Sequence, residues 1–340
     1  MEISFSKNSN YKSNPIIIDG FSGSGKILIS ELLKAVKSTE ITKWELSYDY
    51  IPILYSFGSI QKKAASSTLR TIFDEITYTI SIGRELNLRP KDLTFALRHP
   101  KWIKYLKAML NKAYKDKYIE EKLAPNMNIP IMVHMSTFNN SLIEDTFQKN
   151  IKLIYTFRDP LFILETYSSY IDRIGNDPRE FTPKISSKII DLPWYTYGWE
   201  EEYIKINNTE KSILLIEKCF KFVSEKIDKL FDKKIYKLIF FENITLNTDE
   251  IFLELIDFLG LTYNKEIYKK IKIKNKLPRK TSNIVEGFWK RYTTGNVSRA
   301  GDGEVQILER TRNLVDKHYF NKLLKLREDY FDFREKYNFN

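Results

Sequence analysis

A segment near the N-terminus combines residues that can bind an anion through their backbone, their hydroxyls and a charge. The segment is GFSGSGK, and its residues of interest are Gly20, Ser22, Gly23, Ser24, Gly25 and Lys26. Glycine lets backbone N–H groups approach phosphate oxygens, serine donates hydrogen bonds, and lysine adds a full positive charge. Residues of these types at this spacing are typical of a phosphate-binding loop.

The elements around this loop are those that phosphate binding requires. Residues 16–18 are three isoleucines, a β-branched run that predicts a buried strand, and the apolar positions after Lys26 repeat at helical spacing. A glycine loop between a strand and a helix directs the free N–H groups of the first helical turn at the anion. The alternative is an ordinary glycine turn between a core strand and a core helix.

The residue after the lysine bears on which phosphate the loop binds. The spacing from Gly20 to Lys26 satisfies the GxxxxGK pattern of ATP- and GTP-binding loops, but the next residue is Ile27. Those loops carry Ser or Thr at this position, and its hydroxyl is the usual ligand of Mg²⁺. Ile27 therefore counts against a metal-nucleotide enzyme.

Two further apolar runs lead into candidate functional residues. His134 lies near the end of NIPIMVHM, where it could act as a general base or be an ordinary core histidine. KLIYTF leads into Arg158, and Thr166 lies two turns along the following helix. An arginine and a hydroxyl so placed could hold a second phosphate, whereas the simpler alternative is that Arg158 pairs with Asp159.

Composition limits the class of protein. The 340 residues carry a net charge of +11, which favours anionic partners but is spread along the chain without a basic tail. The single cysteine, Cys219, excludes an internal disulfide framework and a cysteine zinc site. The N-terminus lacks the apolar core of a signal peptide, and no run approaches transmembrane length. We therefore expect a soluble cytoplasmic protein, with no nucleic-acid partner and no membrane span.

Strands alternate with helices along the chain, which predicts an α/β fold: a three-layer sandwich with a mainly parallel central sheet. The strands are expected at residues 16–18, 128–135, 152–157 and 235–241, and a closing helix at about 304–337. Residues 43–60 read as a substrate-facing loop or strand. We predict a flexible arm at residues 1–14, followed by a single domain at 15–340 with a helical insertion at about 61–125.

These motifs together resemble those of the sulfotransferases that use 3′-phosphoadenosine-5′-phosphosulfate (PAPS). GFSGSGKILISELL resembles the family's loop for the 5′-phosphosulfate, and IYTFRDPLFILETYSSY resembles its R-D-P strand and helix for the 3′-phosphate. FFENITLNTDEIFLELIDFLGL resembles the third motif, VHMSTF the stretch with the histidine, and SRAGDG the late segment that closes on the 3′-phosphate. The resemblance covers most of residues 15–303 and implies the P-loop NTPase-like sulfotransferase fold.

The resemblance also implies the site residues and the cofactor. His134 is expected to be the catalytic base and Lys26 to stabilise charge on the transferred group. The residues expected to bind the donor are Ser22, Gly23, Ser24, Gly25, Lys26, Ile27, Arg158, Thr166, Arg299 and Gly301. PAPS would be the donor and 3′,5′-adenosine bisphosphate (PAP) the product, with no metal required. The acceptor would be the hydroxyl or amine of a small molecule, a glycan or a lipid.

One departure from the family pattern leaves alternatives open. Gly23 stands where the family carries a basic residue, and Lys26 either takes over its role or only binds phosphate. A P-loop kinase using Mg·ATP would employ the same Lys26, with Asp159 as its clearest magnesium ligand. An inactive relative that binds the nucleotide without turnover is a further alternative. A polyanion-binding protein would account for the charge but not for the ordered motifs.

Overall fold

The computed structural model describes most of the chain. The described residues are 5–90, 92, 94–110, 119, 125, 127–134, 141–174, 177, 180–186, 190–230, 234–279 and 303–338. Their strands are β1 (Asn14–Gly20), β2 (Lys43–Trp44), β3 (Asn128–Met132), β4 (Lys152–Phe157), β5 (Lys184–Ser186), β6 (Asp191–Pro193) and β7 (Tyr236–Phe240).

Helices precede and follow these strands. They are α1 (Lys26–Leu33), α2 (Ser47–Ser56), α3 (Lys62–Ser81), α4 (Trp102–Leu110), α5 (Leu142–Phe147), α6 (Pro160–Arg173), α7 (Glu200–Lys205), α8 (Asn208–Leu230), α9 (Phe241–Leu246), α10 (Thr248–Leu259), α11 (Lys265–Lys274), α12 (Glu304–Leu314) and α13 (Lys317–Asn338). None of those in the described part of the chain combines the length and apolar composition that crossing a bilayer requires.

The central sheet has the order β2-β3-β1-β4-β7, and each of its pairs is parallel. Ile17 of β1 pairs with Ile131 on one side and with Leu153 on the other, so these strands end at the same edge. β2 and β3 lie on one side of β1, whereas β4 and β7 lie on the other. Ligands bind open parallel sheets at such a point of reversal, beyond the carboxyl ends of the strands.

Two apolar clusters cover the two faces of this sheet. Ile16 and Ile18 pack with α1, α10 and α11, whereas Ile17 packs with α2, α3, α6, α8 and α13. The alternation follows from the strand geometry, because successive side chains point to opposite faces. The predicted α/β fold with a mainly parallel central sheet is therefore confirmed, and β1, β3, β4 and β7 lie within or across the ranges expected for them.

The closing helix differs from the sequence-based expectation. It is divided into α12 and α13, because the chain leaves helical geometry at Val315. Side chains from the start of α8 bind the backbone at this break: Asn207 Nδ2 donates to the Leu314 carbonyl oxygen at 3.0 Å, and Glu210 Oε1 accepts the Asp316 N–H at 2.8 Å. These contacts satisfy backbone groups that the interrupted helix leaves without helical partners. The prediction of one continuous helix was wrong.

The segment 43–60 and the N-terminal residues also take definite positions. The former contains β2 and α2, so most of it is helical rather than loop or strand. Before β1, Lys7 Nζ lies 2.8 Å from Asp74 Oδ2, and the hydroxyls of Ser13 and Thr77 are 2.8 Å apart. Within the predicted insertion at 61–125, the structure describes α3 and α4. The predicted division into an arm and a single domain stays a prediction.

Candidate active site

The loop between β1 and α1 packs closely against the rest of the site. Gly20, Gly23 and Gly25 have φ angles of 138°, 86° and 108°, which residues with a side chain rarely adopt. A Cβ on Gly20 would lie 2.4 Å from the Thr156 carbonyl oxygen of β4. A Cβ on Gly25 would lie 2.6 Å from the Phe241 ring. The glycines therefore allow the loop backbone to rest directly on β4 and on the start of α9.

Two polar side chains of the loop region turn inward. The Ser24 hydroxyl donates to the Phe21 carbonyl oxygen at 2.6 Å and lies 2.6 Å from Thr156 Oγ1. Lys26 Nζ donates to the Gly20 carbonyl oxygen at 2.5 Å, and its side chain is buried. Ser24 and Lys26 thus brace the loop from within.

The charge of Lys26 lies directly beneath the loop. Burial lowers the pKa of Lys26 to about 8, and the neighbouring charges of Asp19 and Asp49 oppose this shift. Lys26 is therefore largely protonated at neutral pH and adds positive potential where the N-terminus of α1 also favours an anion. Ile27 follows it in the first turn of α1 and is half-buried, with no side-chain group that could bind a metal or a phosphate.

Helix α6 brings two hydroxyls to the same loop. Thr166 Oγ1 lies 3.7 Å from the position that a Cβ on Gly23 would occupy. The Tyr167 hydroxyl accepts the backbone N–H of Ser22 at 3.0 Å, and its ring contacts that of Phe21 edge-on. Because Tyr167 is buried, this contact fixes the direction of the Ser22 amide.

Arg158 leaves the end of β4 and lies against the loop. Its Nη1 donates to the Gly23 carbonyl oxygen at 3.1 Å, and its Cζ is 4.4 Å from the centre of the Phe241 ring. Its Nε is buried and has no hydrogen-bond partner among the described residues. Burial lowers the pKa of Arg158 to about 10, although Glu242 and Asp159 oppose the shift, so the guanidinium is charged at neutral pH.

The residue after Arg158 is held by α13. Arg327 binds the Asp159 carboxylate through Nε at 2.9 Å and Nη2 at 2.7 Å. The same carboxylate accepts the Leu161 N–H at 2.9 Å and so caps α6. Glu242 accepts the Asp159 N–H at 3.0 Å and the Tyr330 hydroxyl at 2.6 Å. These contacts fix the backbone that aims Arg158 at the loop, and they engage the carboxylate that a kinase would need for magnesium.

His134 follows the end of β3 and lies on the other side of the loop. Its backbone N–H donates to Asp49 Oδ1 at 2.5 Å, and its Nδ1 is 3.5 Å from Asp49 Oδ2. Its ring lies against that of Trp44, with the centres 4.8 Å apart. Loss of solvation, reinforced by the charge of Lys26 and opposed by that of Asp19, lowers the pKa of His134 well below its usual range. The imidazole is therefore neutral at neutral pH and able to accept a proton.

A cavity of about 450 Å³ opens beside His134 and the glycine loop. Its walls come from β2, α2, α6, α8 and the segments just before β5 and just after β6, and most of the wall residues are aromatic or aliphatic. The wall residues of these kinds are Trp44, Leu46, Tyr50, Ile53, Tyr167, Tyr170, Phe181, Pro183, Trp194, Tyr195 and Leu215. Ser22, Asp49 and His134 line it as well, so the cavity joins the loop to the histidine.

The structure brings together most of the residues that the sequence singled out. Those from the loop, from the end of β3 and from the start of α6 border one region, whereas Arg299 and Gly301 lie outside the described residues. Sequence reasoning missed four contributors: Trp44, Asp49, Tyr167 and Arg327. Only Tyr167 had a sequence signal, since it adjoins Thr166; the others lie far along the chain from the groups that they contact.

The sulfotransferase domain family model matches residues 13–295. A search of curated proteins finds no match. Among solved structures, the chain is similar to the sulfotransferase domain of the olefin synthase of Synechococcus PCC 7002, at 10% identity over 97% of this chain and 98% of that one, with a TM-score of 0.43.

Two other solved structures are similar at the same level. The sulfotransferase domain of the curacin biosynthetic pathway is 11% identical over 94% of this chain and 98% of that one, with a TM-score of 0.42. Sulfotransferase STF9 of Mycobacterium avium is 10% identical over 78% of this chain and 68% of that one, with a TM-score of 0.38. The family model spans well over half of the chain and carries the assignment: this protein belongs to the sulfotransferase family.

Proposed function

We propose that the protein transfers a sulfuryl group from PAPS to a hydroxyl or amine of a small acceptor that binds in the cavity beside His134. Family membership supports sulfotransfer in general. The choice of PAPS depends above all on Arg158, a buried guanidinium beside the glycine loop whose Nε–H has no hydrogen-bond partner in the described part of the chain. A buried donor left unpaired costs about 1–3 kcal/mol, a penalty that a bound phosphate would remove.

The residues present fit such a donor. Arg158 and Thr166 meet at Gly23 and would hold the 3′-phosphate, together with Arg299 and Gly301. The backbone N–H groups at the start of α1, with Lys26 beneath them, would hold the 5′-phosphosulfate. Ser24 would act through the loop conformation, since its hydroxyl is bonded inward. Charge on the transferred group would be stabilised by Lys26 and these amides rather than by a metal.

A side chain of the protein can accept the proton that the acceptor loses. When bound, PAPS would supply a sulfuryl group: the lone pair of the acceptor oxygen or nitrogen bonds to sulfur, and the bond from sulfur to the 5′-phosphate oxygen breaks, leaving its electron pair on that oxygen of PAP. His134, being neutral and beside the cavity, would take the proton that the acceptor loses. Ser22 and Tyr167 border both the loop and the cavity, so they would keep the acceptor close to the donor.

The side chains that line the cavity limit the class of acceptor that it can bind. Aromatic and aliphatic side chains predominate, and small-molecule sites of this kind bind mainly by burying apolar surface, with a few polar groups setting orientation. A small acceptor with a phenolic or aliphatic body fits these walls better than a glycan does. A cytoplasmic location, expected from the sequence, belongs to the same proposal.

The decisive experiment is calorimetric titration of the metal-free protein with PAP, beside titration with ATP and Mg²⁺. We expect PAP to bind the more tightly. Arg158→Ala should weaken PAP binding roughly 10- to 100-fold, because one charge-assisted hydrogen bond contributes about 1.5–3 kcal/mol. Arg70→Ala is the matched control, because Arg70 is a part-buried arginine on α3 that bonds the Thr146 carbonyl instead.

Other outcomes would replace this function with a different one. Tighter binding of Mg·ATP that does not change in Arg158→Ala would support the kinase alternative. That alternative already conflicts with the pairing of Asp159 and Arg327, since a carboxylate bonded to a guanidinium is not available to a metal. Tight PAP binding without turnover of PAPS on any acceptor tested would indicate an inactive relative.

A further inference from the structure

His134 is held from two sides by residues of other elements. Asp49 lies in the first turn of α2, and its two oxygens face the His134 backbone N–H and Nδ1. Trp44, from β2, covers the ring with a tilt of 31° between the planes. The Asp49 side chain is only 7% exposed, and α2 is anchored by the fully buried Tyr48. Neither partner belongs to the strand that carries the histidine.

We infer that Asp49 is a positioning residue that fixes the tautomer of His134, with the proton on Nδ1 and the free lone pair on Nε2. A carboxylate facing one ring nitrogen favours a proton on that nitrogen, because an ionised carboxylate only accepts hydrogen bonds. The other nitrogen is then the one that can accept a proton. For its role in catalysis this inference rests on the proposed function, in which Nε2 takes the acceptor's proton.

The charges around the ring explain why such a partner is needed. Among the described residues, the charged groups that act on the imidazole include Asp49 from α2, Lys26 from α1 and Asp19 from β1. Lys26 opposes a positive charge on the ring, as does the loss of solvation. A negative charge on Asp49 offsets both when the imidazolium forms, as in other pairs where a buried carboxylate orients a catalytic histidine.

The same geometry predicts a pH dependence. Burial raises the pKa of Asp49 well above its usual range; the charge of Asp19 adds to this shift, whereas the His134 N–H and Lys26 oppose it. A protonated Asp49 would donate to Nδ1 and move the imidazole proton to Nε2, which removes the lone pair needed for catalysis. The active tautomer should therefore be present above the raised pKa of Asp49 and be lost as the pH falls through it.

The tautomer can be measured without knowing the acceptor. The chain has three histidines, so a long-range ¹H–¹⁵N spectrum of labelled protein contains few imidazole signals, and His134→Gln identifies those of His134. At pH 8 we expect Nδ1 to be protonated and Nε2 to be unprotonated. In Asp49→Asn the side-chain oxygen that accepts the His134 N–H should stay in place, which leaves the amide NH₂ facing Nδ1 and places the proton on Nε2.

Asp74→Asn is the matched control, because Asp74 is an equally buried aspartate on α3 that pairs with Lys7. It should leave the His134 tautomer unchanged. PAP titration of each variant reports separately on the donor site. With PAPS and a panel of phenols and aliphatic alcohols, Asp49→Asn should lower kcat by roughly 10²–10⁴-fold, with a much smaller change in PAP affinity.

The outcomes separate this inference from the proposed function. An unchanged His134 tautomer in folded, PAP-binding Asp49→Asn protein would overturn the inference and leave the function standing. A shifted tautomer in a protein that does not bind PAP would support the positioning role while contradicting the function. Equal loss of PAP binding and of kcat in Asp49→Asn would also overturn the inference, because it would mark Asp49 as part of the general support of the loop.

Discussion

The two sides of the candidate site are built in different ways. On the side proposed to bind the donor, called the donor side, the glycine loop and Arg158 belong to segments that each run directly from a strand into a helix. On the side proposed to bind the acceptor, called the acceptor side, the cavity beside His134 takes its walls from many separate parts of the fold. Local backbone geometry shapes the first side, with Arg327 holding Asp159 behind it, whereas contacts between distant side chains form most of the second. Substitutions should therefore affect the two sides separately.

The sharpest test of this separation is His134→Gln. Loss of a general base lowers the rate of the chemical step by roughly 10²–10⁴-fold. PAP affinity should stay close to that of the unchanged protein, because in the proposed function the loop and Arg158 hold the donor. PAP release from PAPS with the phenol and alcohol panel measures the first quantity, and calorimetry measures the second. Comparable losses in both would show that the two sides are not separate.

The same difference decides how much the sequence could predict. The donor loop was predictable because glycines, a strand before them and a helix after them are local signals, and the structure confirms that arrangement. The parallel sheet followed from the apolar runs. Asp49 was missed because it lies 85 residues before His134, in a segment whose aromatic residues and Pro52 hide its helical pattern. Contacts across such distances leave no periodic trace in one sequence.

Arg327→Met should have the next largest effect. It tests whether the conformation of the donor side depends only on the residues of its own motifs. Arg327 and Asp159 are 168 residues apart and both buried, so removal of the guanidinium leaves an unpaired buried carboxylate. Breaking a buried pair in this way costs about 3–5 kcal/mol of stability. Urea unfolding of the variant and of the unchanged protein measures this loss in the free energy of unfolding. Lys325→Met, which removes an exposed cation from the same helix, should leave the midpoint unchanged.

The outcome for Arg327→Met bears directly on Arg158. If the ion pair holds the backbone that carries Arg158, PAP affinity should fall in the folded variant as well. Unchanged stability and unchanged PAP affinity would contradict the role of α13. The two strand–loop–helix segments alone would then determine the conformation of the donor side. The double variant with Asp159→Asn should recover part of the stability, because it removes the unpaired charge.

A smaller effect than that of Arg327→Met is expected for the difference in stability between Gly20→Ala and Gly58→Ala. Both glycines have positive φ, but a Cβ on Gly58 would meet nothing within 4 Å, whereas one on Gly20 would overlap the backbone of β4. The φ of 138° at Gly20 is also less accessible to alanine than the 70° at Gly58, so the difference in stability combines backbone strain with steric overlap. Gly20→Ala should be about 1–3 kcal/mol less stable than Gly58→Ala, the usual cost of overpacking. Equal unfolding midpoints would show that the loop does not depend on close contact with β4.

The smallest expected effect is a pH dependence that belongs to the donor side alone. Burial holds the pKa of Lys26 at about 8 in the free protein, and a bound anion would raise it. Binding above pH 8 then requires uptake of a proton, so PAP affinity should fall by up to tenfold per pH unit between the two pKa values. The nucleotide adds no such dependence, because its phosphates are already ionised above about pH 7.5.

Lys26→Met provides the control for this pH profile. Its PAP affinity should be lower at pH 7.5 and nearly constant up to pH 9.5, because the titrating group is gone. Asp49→Asn should keep a fall of affinity with pH, shifted to lower pH because a carboxylate near Lys26 is removed. A flat profile in the unchanged protein would mean that the charge beneath the loop does not reach the nucleotide. Lys26 would then serve only to brace the Gly20 carbonyl.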